Sequence, residues 1–372
     1  MSETQQRFLT YGAAIAALIQ TVYIVSEVIV GTSVSQFEKG QIYIGTIVLL
    51  VIGSFFLYKK QNEWVYGAKK HKVTVIVGTA LLFSMVFPWS APKIALLTDI
   101  LAMGMWILLL QNEKIRNHFV KVYRWGLCML VGLGLVQVIT GSVTSATWLG
   151  IAGKESVDVG VAVVQFGEMR MLRAYGFLEH PNNFGAYALL LWLLSLSMVG
   201  RKKIFFLTIA VVGMIISLSR TTVLSWIIAG GAWWMLGVGA IVMVVRFKDY
   251  FLETSVSERI TQLQQWGEMY RTFAWKGTGI GNYADYVRRY FDIKEGYAVQ
   301  LVHNAILLVL SEVGLIRVGI GYAILRKKID VSALRFFVIP LPMLLFDHFL
   351  YATHSGRFWW LGFVAFWYHK KN

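Results

Sequence analysis

Long apolar runs separated by short polar stretches recur from Phe8 almost to the C-terminus. A helix that crosses a bilayer needs roughly 20 predominantly apolar residues. Runs of that order fall near 8–30, 41–58, 73–90, 93–110, 119–140, 182–199, 203–219, 222–245, 302–325, 334–352 and 357–369. They are continuous rather than alternating, which selects helices over a barrel. The pattern therefore predicts an all-α, polytopic membrane protein of about 11–12 spans, with 1–372 as one membrane domain. Two longer polar gaps, 141–181 and 246–300, are expected to be outer loops. In the second, Ile260, Leu263, Trp266, Met269, Tyr270 and Phe273 recur at helical spacing after Ser255-Val-Ser-Glu258, a capping-box pattern. This predicts an amphipathic helix over 256–274 lying on the membrane, with Arg259 and Leu263 on one face. Gly277-Thr-Gly279-Ile-Gly281-Asn282-Tyr283 reads as a turn, and Tyr283, Tyr286, Val287 and Tyr290 as a second short helix.

Composition agrees: 57% of residues are hydrophobic and 15% charged, against about 25% charged in a soluble domain, which excludes an ordinary cytosolic enzyme. The net charge of +15 would suggest nucleic acid in a soluble domain, but here the basic residues form short clusters between apolar runs and no nucleic-acid partner is expected. Lys59–Lys72, Lys114–Arg124, Arg201–Lys203, Arg326–Lys328 and Lys370–Lys371 are placed in the cytoplasm, and both long gaps on the outer side. The first run has no small-residue cleavage pattern and reads as a retained span. Cys128 is the single cysteine, so neither an internal disulfide nor a cysteine metal site is expected. The count of crossings leaves two solutions. Either 222–245 is a hairpin turning near Gly230–Gly231 or Gly237–Gly239, or part of 246–300 dips into the membrane. Each hairpin arm of about 12 residues reaches only ~18 Å of a ~30 Å core.

Ionisable residues near the outer ends of spans mark candidate chemistry, because placing them there is costly. The stretch Arg173-Ala-Tyr-Gly176-Phe-Leu-Glu-His180-Pro181-Asn182-Asn183 precedes a span, with Asn182 expected as its cap. Arg220, in Ser217-Leu-Ser219-Arg220-Thr221-Thr222, can snorkel to lipid phosphates or grip a substrate phosphate bidentately. His303 and Asn304 stand at an outer helix mouth, where His303 is either an interfacial histidine held by a hydrogen bond or a base. Glu312 lies nine residues on, placed to orient polar groups of a cavity wall. A final cluster runs from Asp347-His348 through Thr353-His354-Ser355-Gly356-Arg357.

Taken together, these stretches resemble the bacterial O-antigen ligase and O-antigen polymerase superfamily of membrane glycosyltransferases. Arg173 through Asn182 looks like the arginine-glycine-histidine-proline-asparagine stretch of that family, and Ser219-Arg220-Thr221 like its serine-arginine junction. Arg259-Ile-Thr-Gln-Leu263 matches its arginine, three residues, leucine motif. His303 with Gly314 matches its histidine-to-glycine motif. The resemblance covers about 160–325; the first 140 residues match only as generic spans, and 222–245 is shorter than the family's two spans. It implies a GT-C-like architecture in the inner (plasma) membrane. The implied activity is inverting, metal-independent and cofactor-free transfer from an undecaprenyl-diphosphate-linked glycan to an acceptor glycan or lipid A core on the outer face. His303, Arg220 and Arg259 would be catalytic, and Arg173, His180, Asn182, Asn304, Glu312 and His348 would bind substrate. A transporter or flippase of lipid-linked glycan is the alternative, using the same arginines for the diphosphate.

Overall fold

The computed structural model describes residues 3–18, 22–26, 29–30, 33–34, 40–67, 91–146, 151–158, 161–166, 169–230, 254–295, 298–325 and 336–371. The chain is mostly helical, with short two-stranded pairings added. The run expected as a span over 8–30 instead divides. Helix α1 covers Glu3–Ala16, and strand β1 (Val22–Ser26) pairs antiparallel with β4 (Gly40–Tyr43) around a β2 (Ile29–Val30) and β3 (Ser33–Val34) pairing. Val22-Tyr-Ile-Val and Ile29-Val explain the change: β-branched and aromatic residues lose rotamer freedom in a helix and suit a pleated ladder.

Next come helices α2 (Ile44–Gly67), α3 (Ala91–Leu109) and α4 (Glu113–Thr140), while the expected span 73–90 lies outside the described residues. Buried Trp106 joins α3 to α2 by donating its indole N–H to the Leu49 carbonyl at 3.0 Å. Asn112 caps α4, accepting from the Ile115 amide at 3.2 Å, and left-handed Gly141 ends it. Among the described residues, α4 is the one helix long and apolar enough to cross a bilayer; Ile44–Phe56 and Leu96–Leu109 are shorter apolar helices.

The 141–181 segment is not the plain loop expected of it: it contains β5 (Ser142–Val143) paired with β6 (Lys154–Glu155), and a β7 (Val163–Phe166) and β8 (Met169–Leu172) hairpin. Gln137, buried at the end of α4, clamps the turn after β8. Its amide oxygen accepts from the Tyr175 and Gly176 N–H groups, at 3.2 and 2.8 Å, and its nitrogen donates to the Gly176 carbonyl at 2.6 Å. This turn delivers Arg173 and His180 to the head of α5 (Pro181–Ser195). Helix α5 is apolar all round and buried along almost its whole length, the signature of a helix surrounded by others. Helix α6 (Gly200–Ser217) ends in Leu218, a non-glycine residue at φ 48°, and the chain turns at once into α7 (Arg220–Ile228), capped by Ser219. That sharp corner fits against α5 because residue 185 is glycine: a Cβ there would lie 2.6 Å from the Thr222 hydroxyl and 2.8 Å from that of Ser217. Helix α7 is nine residues long and closes in a turn at Ala229–Gly230; the rest of the 222–245 run lies outside the described residues.

Helix α8 spans Thr254–Phe273 and α9 spans Tyr283–Tyr290, close to the expected positions. The apolar run 302–325 does not form one helix; it divides at Gly314 into α10 (Ala305–Val313) and α11 (Leu315–Leu325). The cause is non-local. The turn after α8 inserts its backbone at the break, with Thr278 and Gly279 amides donating to the Ser311 and Glu312 carbonyls at 2.8 and 3.0 Å. Leu315 and Ile316 amides donate back to Ala274 and Trp275, at 2.8 and 3.2 Å. The run 334–352 likewise breaks, giving α12 (Leu341–Phe346) and α13 (Phe349–Ala352) either side of Asp347-His348, before α14 (His354–Lys371). Helix α14 returns to α5, where the Trp359 indole donates to the Ala186 carbonyl at 2.8 Å and Tyr187 donates to the Ser355 carbonyl at 2.8 Å.

Candidate functional site

The β8–α5 turn, the α6–α7 corner, the start of α8, the approach to α10 and the α12–α13 break meet around one cavity of about 460 Å³. Arg173, His180, Asn182, Arg220, Arg259, His303 and His348 all line it. Ligand pockets typically run from about 300 to 1,000 Å³, so the space suits a polar headgroup.

A hydrogen-bonded chain forms one wall. Arg173 is buried; its Nε donates to the Ser217 carbonyl at 2.9 Å and its Nη2 to the Asn182 amide oxygen at 2.9 Å. The Asn182 amide nitrogen then donates to Asp347 Oδ2 at 2.6 Å. Asn182 therefore bridges a cation and an anion rather than capping α5, as its position suggested. His180 is the cap, its Nδ1 accepting from the Asn182 amide at 3.1 Å. Beside this chain, Ser355 and Asn183 donate to Glu179 Oε2 at 2.6 and 3.0 Å. Glu179, Glu258 and Asp347 balance the three arginines in formal charge, but Glu179 and Asp347 are each held by neutral donors of the wall.

His303 sits across the cavity, just ahead of α10, with its ring edge-on to that of His348 at 4.9 Å between centroids. Its Nδ1 lies 2.6 Å from the Gln262 amide oxygen on α8. Burial, reinforced by His348 and Arg259 and opposed by Asp347, pushes the His303 imidazole down to about 4. These surroundings favour the neutral ring, the form able to accept a proton.

Two expected substrate-binding residues are employed elsewhere. Asn304 caps α10, its oxygen accepting from the Leu307 amide at 2.9 Å while its nitrogen donates to the Leu345 carbonyl at 2.9 Å. Glu312 is buried beneath the glycine turn, accepting from the Tyr351 hydroxyl and the Tyr283 amide. Neither lines the cavity. Arg259 and Leu263 lie one turn apart on the same side of α8, with Arg259 lining the cavity and Leu263 47% exposed.

Glu179, Asn183, Thr221, Glu258, Asp347 and Thr353 complete the polar lining, none of them given an individual role by the sequence. All but Thr353 adjoin a residue that is given one, so proximity in the chain is the available signal. Behind Thr353 lies a second polar cluster. Asp99 on α3 accepts from Thr46, from His354 Nδ1 at 3.0 Å and from Arg357 Nε and Nη2 at 2.9 and 2.6 Å; Tyr43 stacks on His354 with ring centroids 3.7 Å apart. Among the described residues, no three His, Cys, Asp or Glu side chains are grouped to hold a metal ion. Neither a protein-family model nor a curated protein matches the chain.

Proposed function

We propose that the chain is a polytopic glycosyltransferase of the plasma membrane, of the O-antigen polymerase or ligase kind, acting on its outer face. It moves a glycan from an undecaprenyl-diphosphate donor to a hydroxyl of an acceptor glycan or lipid A core. The observation that carries this reading is the convergence of Arg173, Arg220, Arg259 and His303, drawn from four separate segments, on one cavity. Departure of a diphosphate from the sugar C1 develops negative charge on phosphate oxygens, and guanidinium forks grip those oxygens bidentately. Cations aimed at the leaving group in a water-poor site lower the barrier without a metal ion. In the same step the C1–oxygen bond to diphosphate breaks, the acceptor oxygen bonds to C1 with inversion, and its proton passes to His303.

Membrane placement is supported by the outside of α4. Trp125, Met129, Val136 and Ile139 recur on one side and are 50–76% exposed, a stripe suited to lipid rather than water. The Arg220→Lys and Arg259→Lys variants test the diphosphate role. A point charge loses the fork geometry, so each is expected to lose about 2–4 kcal/mol of transition-state stabilisation, as when one oxyanion donor is removed. Wild-type turnover in both, at matched expression, contradicts it.

A further inference from the structure

We infer that Gln262 is a positioning residue for His303: its amide oxygen holds the imidazole in the Nδ1–H tautomer and so makes Nε2 the proton-accepting nitrogen. This rests on the transferase reading for its purpose, but the tautomer itself can be observed without any reaction. The contact is 2.6 Å between Gln262 Oε1 and His303 Nδ1. An amide oxygen only accepts, so Nδ1 must carry hydrogen, and the neutral ring then keeps its lone pair on Nε2.

The scaffold holds this pair in register. Arg259, Gln262 and Trp266 succeed one another along the inward face of α8 at helical spacing. Trp266 donates to Ser311 on α10 at 2.6 Å, and Met269 and Phe273 are buried further along α8. The inserted glycine turn fastens the far end of α8 to the α10–α11 break. There, residue 314, at φ 78° and ψ 153°, needs glycine, because a Cβ would lie 2.7 Å from the Trp275 carbonyl oxygen. Helix α8 therefore carries both a cation of the cavity and the residue that orients the base.

A neutral partner also suits the surroundings. His303 faces Gln262 and Arg259 from α8, His348 and Asp347 from the α12–α13 break, and His180 from the head of α5. A carboxylate at 262 would orient the ring equally well but would favour the imidazolium. Glutamine fixes the tautomer while leaving the base unprotonated.

The test uses the full chain in lipid nanodiscs with ¹⁵N-labelled histidine, of which there are seven, with His303 identified by the signal lost in His303→Ala. The wild type is expected to show a protonated Nδ1 and an unprotonated Nε2. Gln262→Met should give a mixture of tautomers with donor binding retained. Gln262→Glu should keep Nδ1 protonated but raise the imidazole pKa by about one unit or more. In transfer assays Gln262→Met should lose about tenfold or more in kcat with KM for the donor unchanged. Gln262→Glu should instead move the acid limb of the pH profile upward. A protonated Nε2 in the wild type, or an unchanged tautomer ratio in Gln262→Met, overturns the inference. An intact tautomer lock in a wild type that forms no glycosidic product overturns the transferase reading alone.

Discussion

Removing both partners of the Asp99–Arg357 pair should destabilise the chain by clearly less than the sum of removing each alone. Asp99 is 1% exposed and accepts from Arg357 twice, at 2.9 and 2.6 Å, as well as from Thr46 and His354. Arg357 is 9% exposed and uses Nη1 to hold the carbonyls of Tyr351 and Ala352, at 3.0 and 2.9 Å, closing the end of α13. Breaking a buried pair by truncating one partner leaves an uncompensated charge and costs about 3–5 kcal/mol. Asp99→Leu falls toward the lower end, because the two carbonyls still serve the guanidinium. Arg357→Met also falls there, because Thr46 and His354 still donate to the carboxylate. The singles thus sum to about 6 kcal/mol or more, whereas Asp99→Leu/Arg357→Met leaves no stranded charge and should cost at least about 2 kcal/mol less than the sum. Equilibrium unfolding in mixed micelles, followed by tryptophan fluorescence, measures the three variants against wild type. Costs that add within about 0.5 kcal/mol would refute the pairing energetics. Since α13 carries Phe349 of the cavity wall, both single variants should also weaken donor binding.

The same geometry sets two further outcomes. Loss of a neutral base lowers turnover, so kcat/KM should stay level from neutral pH downward and fall as the pH drops through about 4, the depressed value of His303; an acid limb at the ordinary histidine value near 6.5 would show that the ring is not enclosed as described. In a Cys128→Ala background, a cysteine replacing exposed Trp275 should be labelled from the outer side only, and labelling from the cytoplasmic side alone would reverse the membrane orientation.

Locally encoded features are legible in the chain. The periodic apolar positions of 256–274 and the tyrosine spacing after Asn282 mark α8 and α9 closely, because each helix is specified by its own amphipathic face. Seven of the nine proposed site residues share the cavity, because ionisable residues in short polar stretches near helix starts stand out against the apolar runs. Features that depend on distant partners are not legible in this way. The break at Gly314 requires the turn at 274–279, some 35 residues earlier, to supply hydrogen bonds. Gly314 itself, costly inside a helix, is the visible sign. The Asp99 cluster joins residues 255 and 258 positions apart; the sequence shows a lone acid within one apolar run and His354 and Arg357 in the last polar stretch, with nothing to link the two. The roles of Asn304 and Glu312 escape for a related reason: capping and turn support use the same residue types as substrate contact. The β1–β4 pairing is hidden by hydropathy alone, which does not separate an apolar strand from a helix.

Incubating the purified chain with an undecaprenyl-diphosphate glycan and candidate acceptors, with donor binding measured alongside, tests the transferase assignment most directly. Wild type should release undecaprenyl diphosphate and form a glycosidic product. His303→Ala should bind donor nearly as well, since the arginines hold the diphosphate, yet form little or no product. Donor binding and translocation across a vesicle membrane with no product from wild type, or undiminished product from His303→Ala, would contradict the assignment.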